Sequence, residues 1–371
     1  MPDSPLDNLK EITKVDKKNM LSFQVKAAEH YNKASKAVEK VPVNYPAPKS
    51  VIIVGMGGSA IGGEIVKDWA RNRTATPIEI CRDYELPKYA GTETLVLVSS
   101  YSGETEESLS CFLDARKRGA MICCFSSGGN LLEFAEKLGV PFVRVPGGMP
   151  PRAALPYLLV PIFQVLEKTG VISGFSGELL EANRILRKVA KDNDPENALQ
   201  INPAKTLAAG INKTVPVVYG FGIYRSVAQR MKQQFNENSK VPSKWEFFPE
   251  LDHNEIVGWE KGGDTTKHFS SIFLRDKNEA EAVRSRIEIT KTLMEPAVSK
   301  QFELWSQGKN DLSKMLSIVL MGDFASVYLA VLRKVDPTPV DTITVLKRKL
   351  DKVGTKARII RELEKLALTQ A

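Results

Sequence analysis

Short apolar runs alternate with helical patterns between residues 50 and 150 of the sequence. The runs are rich in β-branched residues and nearly continuously apolar, which is typical of strands that helices cover on both faces. They read SVIIVGMGG, TPIEICRD, TLVLVSSYSGE, AMICCFSSGG and PFVRVPGG. The helical patterns between them are SAIGGEIVKDWARN, ETEESLSCFLDARKRG and NLLEFAEKLG, the last two ending at a glycine. This alternation predicts a doubly wound, mostly parallel α/β sheet.

The opening pattern returns in the second half of the chain. TVPVVYGFGIYRSVAQRMKQQF places a strand, a glycine pair and a helix in the same order, with Gly220 in the place of Gly55. A further strand, HFSSIFLRD, and a long helix, NEAEAVRSRIEITKTLM, follow it, and helical patterns extend from Asn310 to Leu366. We therefore expect two copies of one α/β fold with helical N- and C-terminal extensions.

The length of 371 residues favours two domains, because a single hydrophobic core stops growing well before this size. The patterns divide the chain into four segments. We predict an N-terminal helical segment over residues 1–48, which includes the amphipathic stretch from Met20 to Val41, and a first domain over 49–170. A polar helical connector over 171–213 and a second domain with C-terminal helices over 214–371 complete the division.

The composition is that of an ordinary globular protein, with 43% hydrophobic and 26% charged residues. The net charge of +8 is spread along the chain, so it predicts no nucleic-acid partner. The charged start has no apolar core of a secretory signal. The longest uncharged apolar stretch, Ala153 to Leu166, is too short to span a bilayer. We expect a cytoplasmic protein without a membrane partner.

Histidine and cysteine are scarce, with three and four residues respectively. They are scattered, and the cysteines form no CxxC pair, so the sequence predicts no protein-held transition metal. Cys123 and Cys124 lie in the apolar run AMICCF and are expected to be unreactive core thiols. Reduced cysteines agree with a cytosolic location.

The glycine turn, residues 55–59, allows a dinucleotide-binding interpretation. Gly55, Gly57 and Ala60 satisfy GxGxxG/A between a strand and a helix, and Glu79 lies near the position of a ribose-binding acid. This motif alone is a weak signal. A nicotinamide-dependent oxidoreductase therefore remains an alternative.

The hydroxyl loop, residues 99–105, favours a different ligand. Ser100, Ser102 and Thr105 follow the strand TLVLV and precede a helix, where backbone N–H groups and the helix dipole attract an anion. Helix capping explains one such hydroxyl well, but it explains three together with Ser59 poorly. The loop therefore predicts a monophosphate site.

These residues resemble the sugar isomerase (SIS) domain, and more narrowly the bifunctional phosphoglucose/phosphomannose isomerases of archaea and some bacteria. The similarity is carried by VGMGGSAIGG, SSYSGETEES, PPRAALPYLL, the NEN of QQFNENSKVP, and DHNEIVGW, with a weaker tail at DPTPVDTITVLKRKL. The resemblance implies two SIS domains, each a flavodoxin-like sandwich, and activity without a metal or nicotinamide cofactor. It also implies interconversion of glucose 6-phosphate or mannose 6-phosphate with fructose 6-phosphate.

The resemblance assigns roles to individual residues. Arg152 matches the arginine beside the enediolate, Glu237 the catalytic base, and His253 the ring-opening histidine, which in this family comes from the partner subunit of a homodimer. Lys347 matches a lysine near the ring oxygen. The sugar 6-phosphate would be held by Gly58, Ser59, Ser100, Ser102 and Thr105.

The chemistry of aldose–ketose isomerisation suits these residue types. One carboxylate can move a proton between C2 and C1, a guanidinium stabilises the enediolate oxygen, and a histidine titrates near neutral pH as ring opening requires. The second copy, GFGIYRS, lacks GGS and a hydroxyl-rich loop, which predicts one phosphate site per chain. A non-catalytic sugar-phosphate sensor is the remaining alternative, although the sequence shows no helix-turn-helix module.

Overall fold

The structure is a computed structural model that describes residues 4–36 and 43–370. Over these ranges the helices are α1 Leu9–Val15, α2 Leu21–Val25, α3 Ala27–Ala34, α4 Gly58–Ala70, α5 Glu106–Lys117, α6 Gly129–Lys137, α7 Leu155–Lys168, α8 Phe175–Asp192, α9 Pro203–Ile211, α10 Arg225–Glu237, α11 Gly263–Thr266, α12 Glu281–Met294, α13 Asp311–Leu332, α14 Asp341–Asp351 and α15 Thr355–Gln370. The strands are β1 Ser50–Val54, β2 Ile78–Cys81, β3 Thr94–Ser99, β4 Met121–Ser126, β5 Phe142–Arg144, β6 Val215–Phe221, β7 Lys244–Phe248, β8 Phe269–Arg275 and β9 Lys300–Trp305.

The strands form two parallel sheets, which confirms the predicted doubly wound α/β class. The first sheet has the order β2-β1-β3-β4-β5, and the second has the order β7-β6-β8-β9. The strands β7-β6-β8-β9 correspond to β2-β1-β3-β4. In each sheet, the strand that comes first in the chain lies between the second and the third. The two sheets are therefore copies of one arrangement, as the return of the glycine pattern predicts.

The register of the first sheet places two loops side by side. Val54 pairs with Cys81 on one side and with Val98 on the other, so β1 and β3 end at the same edge. From β1 the chain adds β2 on one side of the sheet and then β3, β4 and β5 on the other. Open parallel sheets bind ligands at such a switch point, which here lies between β1 and β3. The glycine turn follows β1 and the hydroxyl loop follows β3.

Two strands of the second sheet were not predicted from the sequence. They are β7 and β9, which form its two edges. Most of their side chains are only half-buried. The runs KWEFF and KQFELW therefore mix charged and apolar residues and lack the continuous apolar pattern of a central strand.

The chain packs into two compact units. One comprises Met1–Ala28 and Gly177–Pro339 and contains the second sheet, and the other comprises Glu29–Ser176 and Val340–Ala371 and contains the first. The sequence division places residues 340–371 with the second sheet. They pack with the first because α15 buries Ile359 and Leu363 in a core shared with α5 and α6.

The N-terminal stretch from Met20 to Val41 is interrupted within the described residues. It forms α2 and α3, separated at Lys26, and residues 37–41 lie outside the described ranges. The predicted connector is likewise structured, because α9 and most of α8 belong to the compact unit of the second sheet.

The central helix of that unit is α13. Among the described helices, α13 is long and apolar enough to cross a bilayer, but 83% of its most apolar window is buried inside the protein, as in a core helix. Two carboxylates of α8 accept hydrogen bonds from backbone amides at the start of α13. Glu178 accepts from the amide of Leu312 at 3.1 Å, and Glu181 accepts from the amide of Lys309 at 2.8 Å. Part of the predicted connector thus orders the N-terminus of this helix.

A buried ion pair joins α10 to α13. Arg230, only 1% exposed, donates from Nη2 to Asp323 Oδ2 at 2.9 Å and from Nε to Oδ1 at 3.2 Å. Replacing Asp323 by Asn should lower the free energy of unfolding by about 3 kcal/mol, since it removes the negative charge that this buried guanidinium pairs with. Urea denaturation measures this change.

The control is Asp192→Asn, which breaks the exposed pair between Lys188 and Asp192. Exposed pairs contribute at most about 1 kcal/mol. Equal effects of the two variants would contradict a structural role for the buried pair.

Candidate active site

The glycine turn brings the start of α4 against the segment that carries Arg152. Gly57 has a φ of +50°, which glycine adopts without strain. A Cβ on Gly58 would lie 3.3 Å from the backbone nitrogen of Arg152, so a side chain there would press on this segment. The glycines therefore set both the turn and the close approach of Arg152.

The hydroxyl loop meets the glycine turn through side-chain hydrogen bonds. The amide of Tyr101 donates to Ser59 Oγ at 3.1 Å, and Ser100 Oγ donates to Thr105 Oγ1 at 3.0 Å. Thr105 occupies the N-cap position of α5, yet its side chain makes no capping hydrogen bond. The structure thus gathers Ser59, Ser100 and Thr105 at the β1/β3 edge.

Ser102 differs from the other hydroxyls of the loop. It is exposed, and its Oγ accepts from the amide of Glu104 at 3.2 Å. This bond shapes the turn that leads into α5. A phosphate-binding role for Ser102 remains a prediction.

Two residues that the sequence analysis did not single out fix the loop against α6. Gly103 has a φ of +69°, and its backbone passes so close to Gly128 that a Cβ would collide with the Gly128 carbonyl. Glu104 accepts from the backbone and side-chain amides of Asn130, each at 2.9 Å. The glycine in SYSGE is the sequence signal that could have revealed the tight turn.

Tyr101 ties the loop to the chain that precedes Arg152. Its hydroxyl donates to the carbonyl of Pro146 at 2.9 Å and accepts from the amide of Met149 at 3.1 Å. Burial raises the pKa of Tyr101, which keeps the donor protonated. Arg152 follows on a short 3-10 helix, Pro151–Ala153, and is 2% exposed.

Lys347 lies on α14, in the same compact unit as the hydroxyl loop. The side chains of residues 341–349 are all exposed in the single chain. The assignment of Lys347 to the ring oxygen of a sugar remains a prediction.

Glu237, in the other unit, ends α10 and is half-buried. Its neighbours in the NEN motif hold the backbone around it. Asn236 accepts from the amide of Ser243 at 2.8 Å, and Asn238 donates to Ser326 Oγ at 2.9 Å. The two asparagines therefore fix the position of the helix end that carries the carboxylate.

His253 ends a 3-10 helix, Glu250–His253, and is exposed in the single chain. The residues beside it are anchored. Asp252 accepts from Thr290 Oγ1 at 2.9 Å, and Asn254 Nδ2 donates to Glu250 at 2.7 Å. The DHNE motif thus holds a histidine on a fixed segment with its side chain in solvent.

The chain resembles known proteins over most of its length. It is 38% identical to the bifunctional phosphoglucose/phosphomannose isomerase of Caldicellulosiruptor bescii over 328 residues, which are 88% of this chain and 97% of the relative. It is 34% identical to the protein of that name from Thermoplasma acidophilum, over 81% of this chain and 89% of the relative. The chain belongs to the bifunctional phosphoglucose/phosphomannose isomerase family.

Family membership confirms the resemblance drawn from the motifs. The profile of the bacterial phospho-glucose isomerase C-terminal SIS domain matches residues 200–350, which include β6 to β9. The crystal structure of a glucose-6-phosphate isomerase like protein from Thermus thermophilus has the same fold, with a TM-score of 0.60 and 19% identity over 92% of this chain and 99% of that chain.

The counterpart of the hydroxyl loop in the second sheet is acidic. After β8 come Asp276 and Glu279, both buried. Asp276 accepts from Tyr224 at 2.7 Å and pairs with Lys314 at 2.9 Å. A carboxylate with its own cation occupies the place where the first copy gathers hydroxyls, and its charge opposes a phosphate. This supports the expectation of one phosphate site per chain in this family member.

The dinucleotide interpretation gains no support. Glu79, which would bind a ribose, accepts instead from Tyr89 at 2.7 Å. The relatives from Caldicellulosiruptor bescii and Thermoplasma acidophilum are named as isomerases. Within residues 4–36 and 43–370, no group of three or more His, Cys, Asp or Glu residues is arranged to hold a metal ion.

Replacing Gly103 by Ala tests whether the tight turn of the hydroxyl loop shapes a ligand site. The methyl group would collide with the Gly128 carbonyl at a positive φ, so we expect stability to fall by more than about 1 kcal/mol. The binding of a six-carbon polyol 6-phosphate should weaken as well. Thermal unfolding and calorimetric titration measure the two effects.

The matched control is Gly147→Ala, where a Cβ would meet only the Ser127 Cβ at 3.9 Å. This variant should behave like the parent protein. If Gly103→Ala also binds and unfolds like the parent, the tight loop does not shape the ligand site.

Proposed function

We propose that the protein is a metal-independent aldose–ketose isomerase. It interconverts glucose 6-phosphate and mannose 6-phosphate with fructose 6-phosphate through an enediolate. The observation that carries the proposal is the cluster of Ser59, Ser100 and Thr105 at the β1/β3 edge, with Arg152 packed against the glycine turn. The names of the relatives support the same substrates.

The substrate phosphate binds at the glycine turn and the hydroxyl loop. Small hydroxyls at the starts of α4 and α5 donate to phosphate oxygens, and the helix dipoles favour the negative charge. Gly58 lets the backbone approach the ligand, and Ser102 adds a donor at the exposed rim. Glu106 and Glu107 lie in the first turn of α5, and their negative charges offset part of the attraction between the helix dipole and a phosphate. The hydroxyls are therefore the main ligands.

The proton transfer uses Glu237 and Arg152. Glu237 removes the proton from C2 of the open-chain aldose and returns it to C1. A hydroxyl proton moves from O2 to O1 in the same conversion, so the ketose contains the same atoms. Arg152 stabilises the oxygen that becomes negative in the enediolate, a charge that develops along the reaction path. A buried guanidinium suits this task because it stays charged and is weakly hydrated.

Ring opening uses His253, with Lys347 near the ring oxygen. A histidine can pass a proton to the ring oxygen near neutral pH. The side chain of His253 is exposed, whereas hydrogen bonds hold the neighbouring residues in place. This arrangement supports a role for His253 in the active site of a second copy of the chain. The proposed assembly is therefore a cytoplasmic homodimer in which each chain completes the partner's site.

The first test is formation of fructose 6-phosphate from each aldose after treatment with EDTA. The parent protein should turn over both substrates. Glu237→Gln should lower kcat by roughly 10²–10⁴-fold, because the amide cannot accept the proton. Coupled assays measure turnover, and calorimetry should show that the variant still binds a polyol 6-phosphate.

The control is Glu260→Gln, which changes an exposed carboxylate and should leave kcat unchanged. Loss of activity on chelation contradicts metal independence. Normal turnover by Glu237→Gln contradicts the assignment of the base.

The origin of His253 is tested by mixing two inactive variants, Glu237→Gln and His253→Asn. If His253 crosses to the partner, a mixed dimer contains one complete site, since the His253→Asn chain keeps Glu237 and receives an intact histidine. Random exchange of subunits should restore about a quarter of the parent activity.

Size-exclusion chromatography establishes that the variants are dimeric before mixing. A mixture as inactive as its components shows that His253 acts within its own chain. Each variant alone, taken through the same subunit-exchange procedure, gives the background activity.

A further inference from the structure

Two cysteines lie together beside the glycine turn and the hydroxyl loop. The Sγ atoms of Cys81 and Cys111 are 3.8 Å apart, and both residues are reduced and buried. Cys81 ends β2, which is an edge strand of the first sheet, and Cys111 lies in α5. Two thiols at this distance need an approach of only about 1.8 Å to form a disulfide bond of about 2.05 Å.

Both cysteines are connected to the elements that carry the phosphate-binding residues. The carbonyl of Cys81 accepts from the amide of Gly55 at 3.3 Å, so the end of β2 supports the glycine turn. Cys111 lies on the helix whose N-cap is Thr105. Its thiol donates to the carbonyl of Asp83 at 3.1 Å. A bond between the two sulfurs would tie β2 covalently to α5, the helix that begins at the hydroxyl loop.

Of the four cysteines, Cys81 is the one whose thiol pKa lies below its ordinary value. Pairing with the Cys111 thiol lowers the pKa of Cys81 to about 7, although burial and the negative charges of Asp83 and Glu79 oppose the shift. The same pairing raises the pKa of Cys111, because its ionisation would place two thiolates side by side. Burial raises the pKa of Cys123 to about 12. Burial, together with repulsion from Cys123, also raises the pKa of Cys124.

We propose that Cys81 and Cys111 form a redox-sensitive pair that a hydroperoxide converts into an intramolecular disulfide, which weakens phosphate-ester binding at the neighbouring loops. The effect on binding rests on the proposed function of those loops. The oxidation itself does not.

The reaction balances with a hydroperoxide as the only oxidant. The Cys81 thiolate attacks the peroxide oxygen, the O–O bond breaks, and with one proton taken up the products are a sulfenic acid and an alcohol, or water from hydrogen peroxide. The Cys111 thiol then attacks the sulfenic sulfur and water leaves. Two thiols lose two electrons in total, and the peroxide gains them. A dithiol reverses the change by thiol–disulfide exchange.

Closure of the bond should disturb the site because either partner must move. A shift of Cys81 alters its bond to Gly55, and a shift of Cys111 along with α5 alters Thr105 and its bond from Ser100. Packed cores respond to such displacements as units, since their side chains interdigitate with few voids.

The experiment treats the full-length protein with hydrogen peroxide and maps its peptides by mass spectrometry without reduction. The expected product is a peptide pair linked through Cys81 and Cys111, and dithiothreitol should remove it. Calorimetry with a polyol 6-phosphate should show Kd rising by roughly threefold or more on oxidation and recovering on reduction.

Cys111→Ser should keep the parent affinity in peroxide and give no linked peptide, whereas the control Cys123→Ser should behave like the parent. Absence of the linked peptide from the oxidised parent protein overturns the proposal, as does a linked peptide with unchanged Kd. Because the readout is binding, an absence of isomerase activity in the reduced protein would count against the proposed function alone.

Discussion

The backbone and side chain of Tyr101 join the loops that form the candidate phosphate site. Its amide donates to Ser59, its carbonyl accepts from Ser127 N and Oγ, and its hydroxyl bridges Pro146 and Met149. One residue thereby links the glycine turn, the hydroxyl loop, the end of β4 and the chain that leads to Arg152. Loops from different strands keep a common geometry only when such bonds hold them, because each has little packing of its own.

The sequence predicted the parts that depend on periodicity and local chemistry. Buried central strands such as β3 have continuous apolar patterns, and the glycine turn and hydroxyl loop have residue types that few other local structures require. The edge strands β7 and β9 were missed because half-buried strands carry mixed side chains. The packing of α15 against α5 was missed because an amphipathic helix does not reveal which surface it will cover.

The same distinction holds within the motifs. The family resemblance singled out Glu237 and His253, whereas Asn236, Asn238 and Asp252 have structural contacts that only the fold reveals. Asn238 and Asp252 bind side chains 88 and 38 residues away in sequence, and Asn236 binds a backbone amide 7 residues away. A motif such as NEN therefore combines the candidate base with neighbours that fix its position, and sequence alone does not separate the two roles.

The two copies of the fold carry different chemistry at matching loops of one architecture. In each copy a hydrogen bond joins the turn after one strand to the loop after an adjacent strand. Between β1 and β3, Ser59 of the turn accepts from Tyr101 of the loop. Between β6 and β8, Tyr224 of the turn donates to Asp276 of the loop. In the second copy the loop residue is a carboxylate, and Lys314 of α13 neutralises it. Replacing Asp276 alone by serine would leave the buried ammonium of Lys314 without its counter-charge, which costs several kcal/mol by desolvation. The acidic loop and the core helix are thus coupled, so an anion site in the second copy would require both to change together.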